Sequence, residues 1–451
     1  MTRRPPATRR PLGRGEQLWW QVSQAGSANG TMVAALGGPV DPDRLVRALR
    51  QTVAQLPMLR VTVQSAPCPA FELMAEAPLP WRIVPRAHAD HWRSLTEADL
   101  QNALPHDAAP LWRLTLVHGA DASELLFTFH HATGDGLSGV LFFDTLLRCY
   151  SGPHAMGGRS SLPRAYDDLL GDVGALPMLR HWTRWLWGQV TRPRSVLLPG
   201  PAEPDDPGRP ASTTRVLDIT LEPTVVRRLL AQCKVHGESL NSLLSAALLL
   251  AARHTLDGEQ ALPLMLTSAI NVRPLLTQPM HAEVGYYVTG IDGQYPVAPA
   301  SDLWALSRAV GARTQAQFTR EHVAHGLALR RLLLAVKRSG HALVDMIPQA
   351  TRNSLHVTNL GRLNLPGRYG DLELRRCFHV AAVDLVRRPY ICLAAVTLAD
   401  ALQLTFSYCA PQTPQVLVER VMHGMQHLLQ RVAQDARPNS ISLTNPGRKV
   451  A

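Results

Sequence analysis

Apolar residues change period along this chain, and the changes mark out its elements. Leu45, Val46, Leu49, Val53 and Leu56 recur at helical spacing, so residues 41–56 are expected to form a helix, capped by Asp41 or Asp43. A short helix is expected within residues 15–26, a more polar one over about 91–104, and an apolar one over 137–150. Short apolar runs predict strands at 31–36, 61–64, 70–74, 81–84, 110–117 and 124–130. A Gly/Ser-rich loop covers 151–161, and helical patterns then continue to Val190. Over residues 191–214, Pro193, Pro199, Pro201, Pro204, Pro207 and Pro210 forbid a regular helix or central strand.

Beyond that stretch the same kinds of element return. Strands are expected at 216–221, 262–272, 284–288, 355–360, 371–380, 391–398 and 403–408, and helices at 225–233, 239–254, 301–317, 325–337, 342–348 and 414–434. No residue-level repeat accompanies the parallel. The expected organisation is a basic arm (1–12, disordered), an N-terminal lobe (13–190), a Pro-rich crossover linker (191–214) and a C-terminal lobe (215–451), each lobe α/β with a mixed sheet.

Composition narrows the function classes. A chain of 451 residues exceeds one ordinary domain and fits two lobes of roughly 200 residues. Its formal net charge of +11 suits polyanions, phosphate-bearing cosubstrates or an acidic protein. The lysines are Lys234, Lys337 and Lys449, so the positive charge is nearly all guanidinium. That fits phosphate and carboxylate recognition, and a compositional bias of the genome gives the same result. No compact basic-aromatic block or reader motif points to nucleic acid. The six cysteines are scattered without a C-x-x-C pair, as expected of buried thiols in a reducing compartment. With no apolar signal core behind the first residues and no apolar run long enough to span a bilayer, a soluble cytoplasmic protein is expected.

The chemistry concentrates at Leu125-Leu126-Phe127-Thr128-Phe129-His130-His131-Ala132-Thr133-Gly134-Asp135-Gly136, a buried strand ending in two histidines and a tight turn. Imidazole accepts and returns protons near neutral pH. Gly134–Gly139 formally matches G-x-G-x-x-G, but no second parallel strand with an acidic residue follows, which argues against a dinucleotide site. Adjacent strand histidines point to opposite faces, which disfavours one metal ion bound by both; no metal is expected. The G-x-S-x-G elbow is absent, since Gly237-Glu238-Ser239-Leu240-Asn241 lacks the final glycine, and no cysteine has an evident base partner. A histidine acting directly remains, either His130 or His131. Asp135 either orients it or holds the turn through a distant arginine. Trp182, Trp185 and Trp187, beside Arg180 and Arg184, either pack on the body or lie at a membrane surface.

His130-His131-Ala132-Thr133-Gly134-Asp135-Gly136 is a complete HHxxxDG motif. It resembles the signature of the chloramphenicol acetyltransferase-like superfamily, which includes peptide-synthetase condensation domains, alcohol acyltransferases and wax-ester or diacylglycerol acyltransferases. Pro57-Met58-Leu59-Arg60, Ala109-Pro110-Leu111-Trp112-Arg113, Asn271-Val272-Arg273-Pro274 and Thr358-Asn359-Leu360-Gly361-Arg362 extend the resemblance over most of the chain. It is nearest to the stand-alone condensation-like and alcohol acyltransferase branch.

The resemblance implies two related lobes with an active-site tunnel between them, and an acyl group moving from a coenzyme A or carrier-protein thioester to an alcohol or amine. The alternative is a non-catalytic module that binds a carrier protein. His131 would be the general base, His130 structural, and Asp135 catalytic through a pairing with Arg273. Gly136 would permit the turn. Asn359 and His356, on a predicted strand, either line the tunnel or take core or sheet-end places. The donor is a cosubstrate, so no resident cofactor is implied; an acidic carrier protein is a candidate partner. A D-F-G-W-G motif is absent, with Tyr369-Gly370-Asp371 and Asp384-Leu385 the nearest substitutes, which points away from peptide-bond formation.

Overall fold

Continuous apolar runs become central strands, and helices cover their faces. A computed structural model describes residues 8–65, 68–152, 161–201, 212–280, 283–336, 339–351 and 353–435. One six-stranded sheet runs, edge to edge, Arg368–Tyr369, Leu372–Ala381, Asn29–Gly37, Ala122–His130, Trp112–His118 and Trp81–Pro85. Its neighbours are antiparallel except for the last pair. The other six-stranded sheet runs Val288–Val297, Leu262–Asn271, Leu355–Arg362, Ile391–Leu398, Ala401–Ala410 and Thr213–Leu221. Leu355–Arg362 is parallel to both of its neighbours, so this sheet is mixed.

Each sheet has its own core. Leu45, Leu49 and Val53 of helix Pro42–Gln55 meet Phe142, Phe143 and Leu146 of helix Gly136–Ser151 over the first sheet. Asp41 caps the former helix, accepting from the amides of Asp43 and Arg44. Helix Leu240–Arg253, apolar along most of its length, packs with Gln415–Gln434 and Leu303–Gln317 over the second. The two-lobed α/β arrangement expected from the sequence is present.

Several boundaries differ from expectation. Arg9–Pro11, assigned to a disordered arm within 1–12, is a strand paired with Ala70–Glu72; residues 1–7 lie outside the described residues. Within the 191–214 linker, Val196 forms a bridge to Leu264 and Thr213 already begins a strand, while 202–211 lie outside the described residues. The strand expected at 284–288 lies later, at Val288–Val297. Helix Ala175–Thr191, placed with the N-terminal lobe 13–190, packs on helix Arg320–Val336 of the other half. The lobes are also not contiguous in sequence. Leu372–Ala381, expected within a 215–451 lobe, pairs along Asn29–Gly37 and so completes the first sheet. Alternation shows which face of a strand is buried, not which neighbour it joins.

Candidate active site

Strand Ala122–His130 is buried over nearly its whole length, with a partner on each side. Its last residue and the next are pinned by backbone bonds, His130 N–H to Leu111 O and His131 N–H to Ala28 O, both 2.9 Å. Thr133 closes the turn, donating to the His130 carbonyl from its amide (2.9 Å) and its hydroxyl (2.8 Å). Asp135 then caps helix Gly136–Ser151, with Ser138 completing a capping box.

The two histidines have different surroundings. His130 is buried, and its Nδ1 accepts from the Ala132 amide at 3.0 Å, which puts the ring proton on Nε2. Burial, with His131 and His106 adding to it, pushes its pKa down to about 3. It is not among the residues that line the cavity between the sheets. The His131 ring lines that cavity, of about 1470 Å³, and its Nδ1 lies 2.8 Å from the Gly134 carbonyl oxygen. A carbonyl only accepts, so Nδ1 carries the hydrogen and Nε2 keeps a free lone pair. Burial lowers the His131 pKa, partly opposed by the Gly134 bond and by Asp135. Trp19 packs on the ring at a centroid distance of 4.5 Å and Tyr286 meets it edge-on at 5.4 Å, which fixes its plane.

Asp135 does not orient that imidazole. Its Oδ1 accepts from the Ser138 amide (2.9 Å), the Ser138 hydroxyl (2.8 Å) and Arg273 Nη2 (3.2 Å). Its Oδ2 accepts from Arg273 Nη1 (2.7 Å) and the Tyr287 amide (3.2 Å). Of the two arrangements open in the sequence, the geometry matches the distant arginine, and the expected pairing with Arg273 is present, with no hydrogen bond from Asp135 to the His131 ring. Burial alone would raise its carboxyl pKa, but Arg273 and the Ser138 donors hold it below the usual carboxylate range. Arg273 is itself buried and stacks over the Tyr287 ring at 4.5 Å. This pair ties the turn after the first sheet to the loop after strand Leu262–Asn271 of the second.

Gly136 has a different reason from the one expected. Its φ is not in the left-handed region; instead, an added Cβ would come within 2.6 Å of Leu360 Cδ2. The Leu360 side chain, reaching over from the second sheet, would have to turn aside. Asn359 lines the cavity while its Oδ1 accepts from the Gly361 amide at 2.8 Å, where the strand shifts register and Gly361 takes φ +72°.

His356 also lines the cavity, with its pKa lowered to about 4 by burial and by His131. Sequence reasoning missed His379, Trp19 and Tyr286 as cavity residues. His379 comes from the strand that joins the first sheet, and burial, with His131 next, lowers its pKa to about 3. Trp19 lies in helix Arg14–Val22, within the stretch where a short helix was expected. Cys392 shares the cavity, but burial pushes its thiol up to about 12, so it stays protonated and is a poor nucleophile.

A condensation-domain family model matches residues 20–289, more than half of the chain, and a model described as the phthiocerol/phthiodiolone dimycocerosyl transferase C-terminus matches residues 210–409. An uncharacterized protein of Mycobacterium tuberculosis is 24% identical over 358 residues, covering 75% of this chain and 80% of its own. Among solved structures, trichothecene 15-O-acetyltransferase from Fusarium sporotrichioides superposes with a TM-score of 0.73 at 14% identity, covering 94% of this chain and 95% of its own. Polyketide synthase associated protein 5 from Mycobacterium tuberculosis does so at 0.66 and 17%, covering 96% and 100%. The epimerization domain from the third module of tyrocidine synthetase B gives 0.72 and 14%, covering 97% and 99%. At these identities the structural likeness concerns the fold.

Proposed function

The chain belongs to the condensation-domain family, and on that premise we propose that it moves an acyl group from a coenzyme A or carrier-protein thioester to an alcohol or amine, with His131 as general base. The observation that carries this reading is the His131 ring, held by the Gly134 carbonyl with its Nε2 lone pair free in an interlobe cavity of about 1470 Å³.

The acceptor's O–H or N–H gives its proton to Nε2 as its heteroatom attacks the thioester carbonyl. The carbon–sulfur bond then breaks, and the imidazolium returns the proton to the departing thiolate. The products are an ester or amide and a free thiol. No acyl-enzyme is needed, consistent with the high pKa of the Cys392 thiol. The chamber supplies positioning of the two substrates against the fixed ring.

The test is thiol release from a panel of acyl-CoA esters, each with an alcohol and with an amine acceptor. Acceptor-dependent release supports the reading. Release only from a loaded carrier protein assigns the donor, and none from either class sinks the enzyme in favour of a carrier-binding module.

The acid limb of the reaction follows from the same ring. Protonated His131 cannot accept a proton, so the rate falls as pH drops through its pKa. Burial lowers that pKa, so half-maximal kcat/KM on the acid side is expected below the ordinary histidine value of about 6.5. A midpoint above that value in a pH–rate profile would exclude His131 as the group titrating.

A further inference from the structure

Helix Ala175–Thr191 has two different faces. One lines the cavity through Pro177, Arg180, Arg184 and Trp185, and packs Trp182 and Trp185 on His325 at centroid distances of 4.4 and 5.2 Å. The opposite face carries Leu176, Leu179, Leu186, Trp187 and Val190, each between 52% and 83% exposed. The three tryptophans expected to act together are therefore split: two are packed, and Trp187 joins an aliphatic stripe. At about 100° per residue all five fall within an arc of about 100°, on one side over about 20 Å of helix.

Residues 173–202 contain Arg180, Arg184, Arg192 and Arg194 and neither Asp nor Glu. Exposed Leu332, on the adjoining helix Arg320–Val336, itself lines the cavity, so apolar surface continues to the cavity's rim. A straight apolar ridge, with exposed Arg180 and Arg184 between it and the cavity mouth, is complementary to lipid tails beneath anionic headgroups; Glu321 and Asp292 lie on the cavity side, away from the ridge.

We propose that this helix lays its outer face on an anionic lipid surface and holds the cavity's rim against it. Indole and leucine side chains enter the headgroup boundary, and the arginines bind phosphates. Read together with the acyl-transfer reaction, on which this step rests, a lipid-borne acyl chain or alcohol passes from the bilayer into the chamber without crossing bulk water.

The full chain is centrifuged with vesicles of phosphatidylcholine alone and of phosphatidylcholine mixed with phosphatidylglycerol. Sedimentation with the anionic vesicles is expected, and the double variant Leu186→Ser/Trp187→Ser should lower the partition coefficient about tenfold or more, because both side chains leave the boundary. Both residues lie outside the cavity lining, so turnover of water-soluble acyl-CoA and alcohol should be unchanged in that variant, while turnover of a vesicle-borne substrate falls with binding. A wild-type chain that ignores anionic vesicles overturns the proposal, as does a double variant that binds them equally well. So does a stripe whose substitution only dissociates a dimer in light scattering or only abolishes carrier-protein binding. A chain that binds vesicles through the stripe yet releases no thiol sinks the acyl-transfer reading and leaves the lipid contact standing.

Discussion

His131→Ala is expected to lower kcat/KM for acyl transfer at least a hundredfold. General-base assistance is typically worth about 10²–10⁴-fold, and Nε2 of this ring is the basic atom that the Gly134 contact leaves free in the chamber. The protein should still fold. The side chain is half-buried, and its loss removes one neutral hydrogen bond, on the order of 1 kcal/mol, with some packing against Trp19 and Tyr286. Thiol-release kinetics beside a melting curve separate the two effects. Activity within about tenfold of wild type, below the range expected of a base, would remove His131 from that role. His356 and His379 also line the cavity, so His356→Ala and His379→Ala are the matching controls.

Asp135→Ala should act on stability first. It leaves Arg273 as a buried cation without its carboxylate, a change that typically costs about 3–5 kcal/mol, and it removes the cap of helix Gly136–Ser151, worth about 1 kcal/mol. Activity should fall with it, because the turn that places Gly134, and hence the His131 ring, loses its anchor to the other lobe. The double variant Asp135→Ala/Arg273→Met should regain part of the lost stability, since no unpaired charge is then left buried. Denaturant titrations of the two single variants and the double variant measure the coupling. A melting temperature unmoved by Asp135→Ala would refute the positioning role, and a double variant no more stable than Asp135→Ala would refute the account of its cause.

The motif strand and its partner across the lobes were legible because each is a local signal. Phe127-Thr128-Phe129-His130 ends an apolar run at a turn, and Asn271-Val272-Arg273-Pro274 ends another. Strand Val288–Val297 was not legible. Gly290, Asp292, Gly293 and Pro296 all read as breakers, yet it lies at the sheet edge and pairs along Leu262–Asn271, where proline is tolerated. His379 was hidden for another reason. A lone histidine in a strand carries no sign of what faces it, and pairing of Phe378-His379-Val380 with Thr31-Met32-Val33 is what brings the ring to the cavity. Gly136 could be seen as necessary, but not that its neighbour would be Leu360.

Strand Leu372–Ala381 ties synthesis to assembly. Until the ribosome has delivered it, Asn29–Gly37, buried at every position in the finished protein, is an uncovered edge with a row of unpaired amides and carbonyls. The early half of the chain must therefore wait for the late half, exposed meanwhile to mispairing with other nascent chains. Severing the polypeptide at the proline-rich crossover would leave the mature halves clasped together rather than release two independent modules.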